Sequence, residues 1–387
     1  MRKSIILITI LILLTVSIKV VYADDNLDIK SQIQGVDTHE IDSLLNGIND
    51  KNGNIMPVTN IKTYITNMLS GKQTFNIKDI FNNILNLFFK EISSSIKLLI
   101  QLIILAIISA VLTNIEGSFE REGISQIAFI SIYAVLIIIA IKSFMGALTI
   151  GGDTINSMVD FMQAVLPMLI TMLVSVGAMV SASFFQPAVI LAVEFTAQII
   201  RDFVFPAILF MTVIKIVSNI SDKFSLNKLA DFIKTVCTGS LSILLSIFLG
   251  IITIQGLTSS IADGVLSRTA KYAVGTFLPV IGGILSESID AIIGASFLIK
   301  GAVGTFGLIA IIMISALPLI KLMVLLIIYK LSAALVEPIA DKKIVAFLSD
   351  LSMSITYIFA ALASVTLMMF LSITAVISAA SVSVMMR

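Results

Sequence analysis

The chain has 387 residues, 58% hydrophobic and only 13% charged, against roughly 45–50% apolar and about 25% charged in soluble domains. Lys plus Arg number 25 against 24 Asp plus Glu, so no charge excess points to nucleic acid or to an acidic substrate. One cysteine (Cys237), one histidine (His39) and no tryptophan exclude an intramolecular disulfide, a Cys/His zinc cluster and a Cys–His dyad.

A helix needs roughly 20 apolar residues to cross a bilayer, and several such runs make this an all-α polytopic membrane protein. Residues 1–23 run from Arg2 and Lys3 through an apolar stretch, Ile5 to Ile18, to Val21-Tyr22-Ala23, the pattern of a cleaved signal peptide. Its core is short for a span, and an uncleaved anchor is the alternative; either places residues 24–96 outside the cytoplasm. That region opens polar, with Asp24, Asp25, Asp28, Asp37 and Asp42, and breaks near Gly53 and Pro57. From Asn76 the pattern sharpens: Ile77, Ile80, Phe81, Ile84, Leu85, Phe88 and Ile92 recur at helical spacing opposite Lys78, Asp79, Asn82, Asn83 and Asn86. One amphipathic helix follows, either packed on its own domain or lying on the outer membrane surface before the first span.

A multi-span domain, 97–387, comes next. Its hydrophobic segments fall at about 98–113, 124–141, 161–185, 188–217, 240–256, 274–299, 301–335 and 351–380, which predicts six to eight membrane segments. The one at 274–299 holds Gly282, Gly283, Ser286, Glu287, Ser288 and Asp290; it would be costly against lipid and is expected to be shielded.

The domain carries an internal repeat. Leu166-Pro167, Gly177-Ala178 and Ala182-Ser183-Phe184-Phe185 align with Leu278-Pro279 and Gly294-Ala295-Ser296-Phe297-Leu298. Phe205-Pro206 then matches Leu317-Pro318 at the same separation, and Leu229 to Ile233 resembles Ile344 to Leu348. The units run from about 124 to 237 and 240 to 350, with 351–380 repeating the opening helix. If each Leu-Pro segment crosses fully, the units have three spans and are inverted. If it re-enters, they have two spans and are parallel. The Lys-rich connections (Lys215, Lys223, Lys228, Lys234; Lys342, Lys343) fall on one side only in the re-entrant arrangement, which the positive-inside rule favours. Leu226, Leu229, Ile233 and Val236 line one face of the first connection and predict interfacial helices there.

No H-E-x-x-H, G-x-S-x-G or G-x-x-x-x-G-K-[ST] occurs, so no enzyme and no cofactor is expected. Gly151-Gly152-Asp153 falls short of an intramembrane aspartyl protease motif, since Ile150 stands where its first glycine would be. The best constellation is Glu194, Gln198, Arg201 and Asp202; the first three share a helical stripe in a run otherwise apolar from Ala188 to Val217. A charge at bilayer depth costs about 2.5 to 3.5 kcal/mol, so pairing Arg201 with Glu194 or Asp202 is economical. The stripe serves as a self-satisfied seam, a pathway lining or a partner-docking face. The second unit has Phe306 and Met313 in place of Glu194 and Arg201. Glu287 and Asp290, three apart beside Gly282-Gly283, form an acidic pair that would bind a cation or face water. Pro167, Pro206, Pro279 and Pro318 are expected to break or kink helices.

Together the signal, the amphipathic segment, Ala-Ser-Phe-Phe at 182–185 and Leu-Pro-Val-Ile-Gly-Gly at 278–283 give a chain that resembles the stage III sporulation protein AE family of endospore-forming Firmicutes along its whole length. The resemblance implies a permease-like component of a channel complex in the mother-cell membrane around the forespore. Its partners would be the other stage III membrane proteins and a forespore membrane protein, in a homo- or hetero-oligomer. The family carries no active-site residues over.

Overall fold

The computed structural model describes residues 38–52, 61–69, 77–116, 122–220, 226–277 and 282–385; the signal peptide expected at 1–23 lies outside them. The elements are α1 (His39–Asn52), α2 (Ile61–Leu69), α3 (Ile77–Glu116), α4 (Glu122–Ser175), α5 (Met179–Ile199), a π-helical turn (Ile200–Val204), α6 (Phe205–Ile220), α7 (Asn227–Phe277), α8 (Gly282–Val336) and α9 (Lys342–Met385). Among the described residues there is no strand, and 5 helices, α3, α4, α7, α8 and α9, are long and apolar enough to cross a membrane. The all-α polytopic fold expected from composition is the fold found.

Helices, rather than hydropathy segments, are the units of construction. The apolar runs at 124–141 and 161–175 belong to the single 54-residue α4, about 81 Å long at 1.5 Å per residue, against a hydrocarbon core of about 30 Å. Likewise the amphipathic stretch from Ile77 and the run at 98–113 form one 40-residue helix, α3. A dip in hydropathy marks polar side chains; backbone i→i−4 bonds continue through it unless a cap or breaker intervenes. For the same reason the stripe at 226–236 is no separate interfacial helix: Leu229, Ile233 and Val236 sit in the first turns of α7.

The prolines act less than expected. Pro167 and Pro318 lie inside the unbroken α4 and α8; each removes one backbone bond, a loss that packed neighbouring helices tolerate. The chain therefore does not turn at Leu166-Pro167. At Pro206 the response is local: the Phe205 N–H reaches back five residues to the Ile200 carbonyl, inserting a π turn just where the ring supplies no donor. Pro279 lies outside the described residues.

The chain reverses instead at Gly177, whose φ of 81° is the left-handed conformation that closes a helix. Ala178 N–H donates to Leu173 O and Gly177 N–H to Val174 O, both at 2.9 Å, the paired bonds of a Schellman motif. α5 then starts at a poor cap, Ala178, which has no side-chain acceptor. Asp263 of α7 supplies it: its Oδ1 accepts Val180 N–H at 2.8 Å and its Oδ2 Ser181 N–H at 3.0 Å.

The core is built around α9, which packs on α8, α7, α4 and α6. Its buried residues Ile344, Leu348, Leu351, Ile355, Ile358, Leu362, Val365, Met369, Ser372, Val376 and Ala379 step alternately by four and three, the seven-residue pattern of knobs-into-holes packing. Against it, α8 presents Gly304 and Gly307; a Cβ on Gly304 would overlap Ile377, and one on Gly307 would lie 3.2 Å from Ile373. Gly304→Ala is accordingly expected to lower stability by about 1–3 kcal/mol through overpacking. Thermal unfolding in detergent should show Ile377→Ala restoring part of that loss in the double variant.

At the other end, Lys215 of α6 lies 3.2 Å from Asp350 of α9 and 3.8 Å from Asp231 of α7, and Asn219 Nδ2 donates to Asp350 at 3.0 Å. These contacts tie the end of α6 to the first turns of α7 and α9. The second Leu-Pro pair, Leu278-Pro279, lies outside the described residues, between α7 and α8.

The helices that precede α3 dock onto the bundle, α1 on α4 and α2 on α8. Asp42 Oδ1 accepts the Ile61 N–H that opens α2, at 2.9 Å. Ile61, Tyr64 and Ile65 are buried, and the Tyr64 ring lies 5.2 Å from that of Phe306. Burial pushes the Tyr64 phenol up to about 12.

Candidate functional site

The sequence stripe becomes one side of a two-helix seam. On α4, Asp153, Asn156, Asp160 and Gln163 follow one another at three, four and three residues, so they share a helix face. That face meets Glu194, Gln198, Arg201 and Asp202 on α5 and the π turn. Gln163 Nε2 donates to Glu194 Oε1 at 2.5 Å; Arg201 Nη1 donates to Asn156 Oδ1 at 2.7 Å and its Nε to Asp202 Oδ1 at 3.0 Å. Of the two acids weighed for Arg201, the structure selects Asp202, and Glu194 takes an amide from α4 instead. Four carboxylates (Asp153, Asp160, Glu194, Asp202) share the seam with a single guanidinium.

The seam opens outward. The Arg201 and Asp202 side chains keep 45% and 55% of their exposure, and Asp153, Asp160, Gln163, Glu194 and Gln198 are all exposed. They stand among exposed apolar side chains, including Leu191, Phe195 and Phe203. Close packing beneath holds the helices in place: Phe205 lies against Gly151, where even a Cβ would approach its ring to 2.9 Å. The π turn re-aims Arg201 and Asp202, because the extra residue rotates the helix after Ile199 and lets consecutive side chains reach each other and α4.

Glu287 and Asp290 lie in the first turns of α8, of which the structure describes only the backbone. Among the described residues no group of three or more His, Cys, Asp or Glu is arranged to hold a metal. Sequence reasoning overlooked Asn156 and Gln163, although the three-four-three spacing of polar residues from Asp153 was a legible signal. It also overlooked Lys300, buried in the α8–α9 interface with its Nζ 2.8 Å from Ile377 O, and Asp263, for which the sequence held no signal because its partners are backbone groups of a distant helix.

Exposed pairs of this kind contribute under about 1 kcal/mol each. Glu194→Gln and Arg201→Gln should therefore leave the unfolding temperature of the purified protein unchanged, within error, in a thermal melt.

The architecture defines a polytopic all-α membrane protein with an uncovered, net acidic polar seam. Residues 59–380 match the family model described as stage III sporulation protein AE (spore_III_AE). The chain is also 34% identical over 352 residues to the stage III sporulation protein AE of Bacillus subtilis (strain 168), covering 91% of this chain and 88% of that one. It belongs to the stage III sporulation protein AE family. No solved structure matches it.

Proposed function

We propose that this protein is a non-enzymatic, permease-like subunit of the channel or secretion complex that joins mother cell and forespore across the engulfed forespore's double membrane, working in the mother-cell membrane. The observation that carries the reading beyond family membership is the direction of the polar seam. Its charged groups face out of the bundle, so one copy supplies a single wall and any polar pathway along it needs a second chain. Without a phosphate-binding loop in this sequence, the energy for transport would come from a partner. The test is a deletion strain scored for heat-resistant spores and for forespore size after engulfment. Loss of spores with shrunken forespores, restored by the intact gene, supports the reading; normal sporulation overturns it.

A second reading, a secondary transporter of a small solute, is favoured by the π turn beside Pro206 that carries Arg201. Solute uptake by the purified protein alone in liposomes would select it. A scaffold role differs again: Glu194→Gln with Arg201→Gln would then abolish co-purification of partner proteins, whereas a pore-lining role leaves the complex intact with altered permeation.

A further inference from the structure

The sequence alignment of the two units pairs an uncovered face of α5 with a covered stretch of α8. In the second unit, the residues matched to the outer face of α5 are covered by the chain itself: Val303, Gly307 and Ala310 replace Leu191, Phe195 and Gln198. Val303 and Ala310 are buried, a Cβ on Gly307 would touch Ile373 of α9 and Val165 of α4, and Phe306 lies under Tyr64 of α2. In the first unit the same face is bare, with Leu191 64% and Phe195 60% exposed. Among the described residues, the outer face of α5 is an open berth.

The charge on the berth says what fits it. Asp153, Asp160, Glu194 and Asp202 face outward against Arg201 alone, and Asp153 and Asp160 stand seven residues apart, two turns along α4. We propose that the face formed by residues 153–163 of α4 and by α5 receives a membrane helix of another protein, one that carries lysine or arginine at this depth among apolar residues. A second copy of this chain is the poorer occupant, because symmetric pairing sets the same patch on both subunits and would oppose carboxylates to carboxylates. Apolar contact alone gives little drive in lipid, so polar groups decide which helix docks. This inference rests on the reading of the protein as a subunit of an assembly and names the chemistry of its neighbour.

The test uses full-length protein in lipid nanodiscs, labelled with a donor dye at Ser183→Cys on α5; the native Cys237 is buried. The probes are acceptor-labelled synthetic leucine-alanine helices of about 24 residues bearing two lysines seven apart, two glutamates at the same places, or neither. Energy transfer is expected to show the lysine helix binding at least about tenfold more tightly than the uncharged one, with no binding of the glutamate helix. Asp160→Asn with Glu194→Gln should bring the lysine helix down to the uncharged level, and Phe195→Ala should weaken both. Equal binding of the lysine and uncharged helices overturns the proposal, as does binding indifferent to the acidic substitutions. So does disulfide-linked dimer formed through Gln198→Cys without any probe, which would assign the face to a second copy. The deletion phenotype is independent of these measurements, so failure of the docking proposal and failure of the sporulation reading are told apart.

Discussion

Replacing Asp263 by alanine is expected to destabilise the bundle by about 3 kcal/mol, the loss of two charge-assisted hydrogen bonds and the orphaning of one buried and one half-buried donor. The carboxylate is fully buried and both its oxygens are engaged, by Val180 N–H and Ser181 N–H. No local substitute exists, because the residue in the cap position, Ala178, offers no side-chain oxygen. The first turn of α5 carries the positive end of the helix dipole, which adds to the attraction for a carboxylate and loses it with an uncharged group. Asp263→Asn is expected to fall between wild type and alanine: its carbonyl oxygen keeps one bond, while its amide nitrogen faces a donor. Thermal or detergent-induced unfolding of the purified protein measures the series. An alanine variant within about 0.5 kcal/mol of wild type would show that α5 starts equally well without the contact. Because Asp263 ties α7 to the turn that follows α4, the loss should appear as unfolding of the whole bundle rather than fraying of one helix end.

Asp263 also marks where reading the sequence stops. Helix type, the membrane class and the Glu194-to-Asp202 stripe are written in local periodicity, and the structure has each of them. The position of helix ends is not, since Pro167 and Pro318 sit inside helices while the reversal falls at Gly177, a residue that stood in the repeat alignment with no role. A breaker's effect depends on whether neighbours compensate for the missing bond, and that is a tertiary fact. The partner of Arg201 was narrowed by charge to Glu194 or Asp202; the π turn, which no local pattern announced, decided for Asp202. Asn156 and Gln163 were visible as a polar face on α4. Their pairing with α5 required knowing that the two helices lie side by side.

Lys300 gives the sharpest contrast expected between two substitutions at one position. Its side chain is 1% exposed, its Nζ donates to Ile377 O at 2.8 Å, and among the described residues no carboxylate forms an ion pair with it. An ammonium has three donors, and burying it with one carbonyl partner is costly, so an apolar side chain of similar length should serve the fold as well or better. Lys300→Met is therefore expected to match or exceed wild type in thermal stability. Lys300→Glu should lose roughly 3–5 kcal/mol, because it places an acceptor-only group against a carbonyl oxygen with no donor to answer it. The site is tight: one turn onward a Cβ on Gly304 would already overlap Ile377, so α8 and α9 cannot separate locally to admit water without opening the seven-residue packing of α9. If Lys300→Met is as stable as wild type, the lysine is not retained for folding, and the decisive observation becomes sporulation of the methionine strain. Normal spores would make the amine dispensable. A stable protein with failed sporulation would mean that the cation itself acts at the α8–α9 interface, since methionine reproduces its length and packing but neither its charge nor its donors.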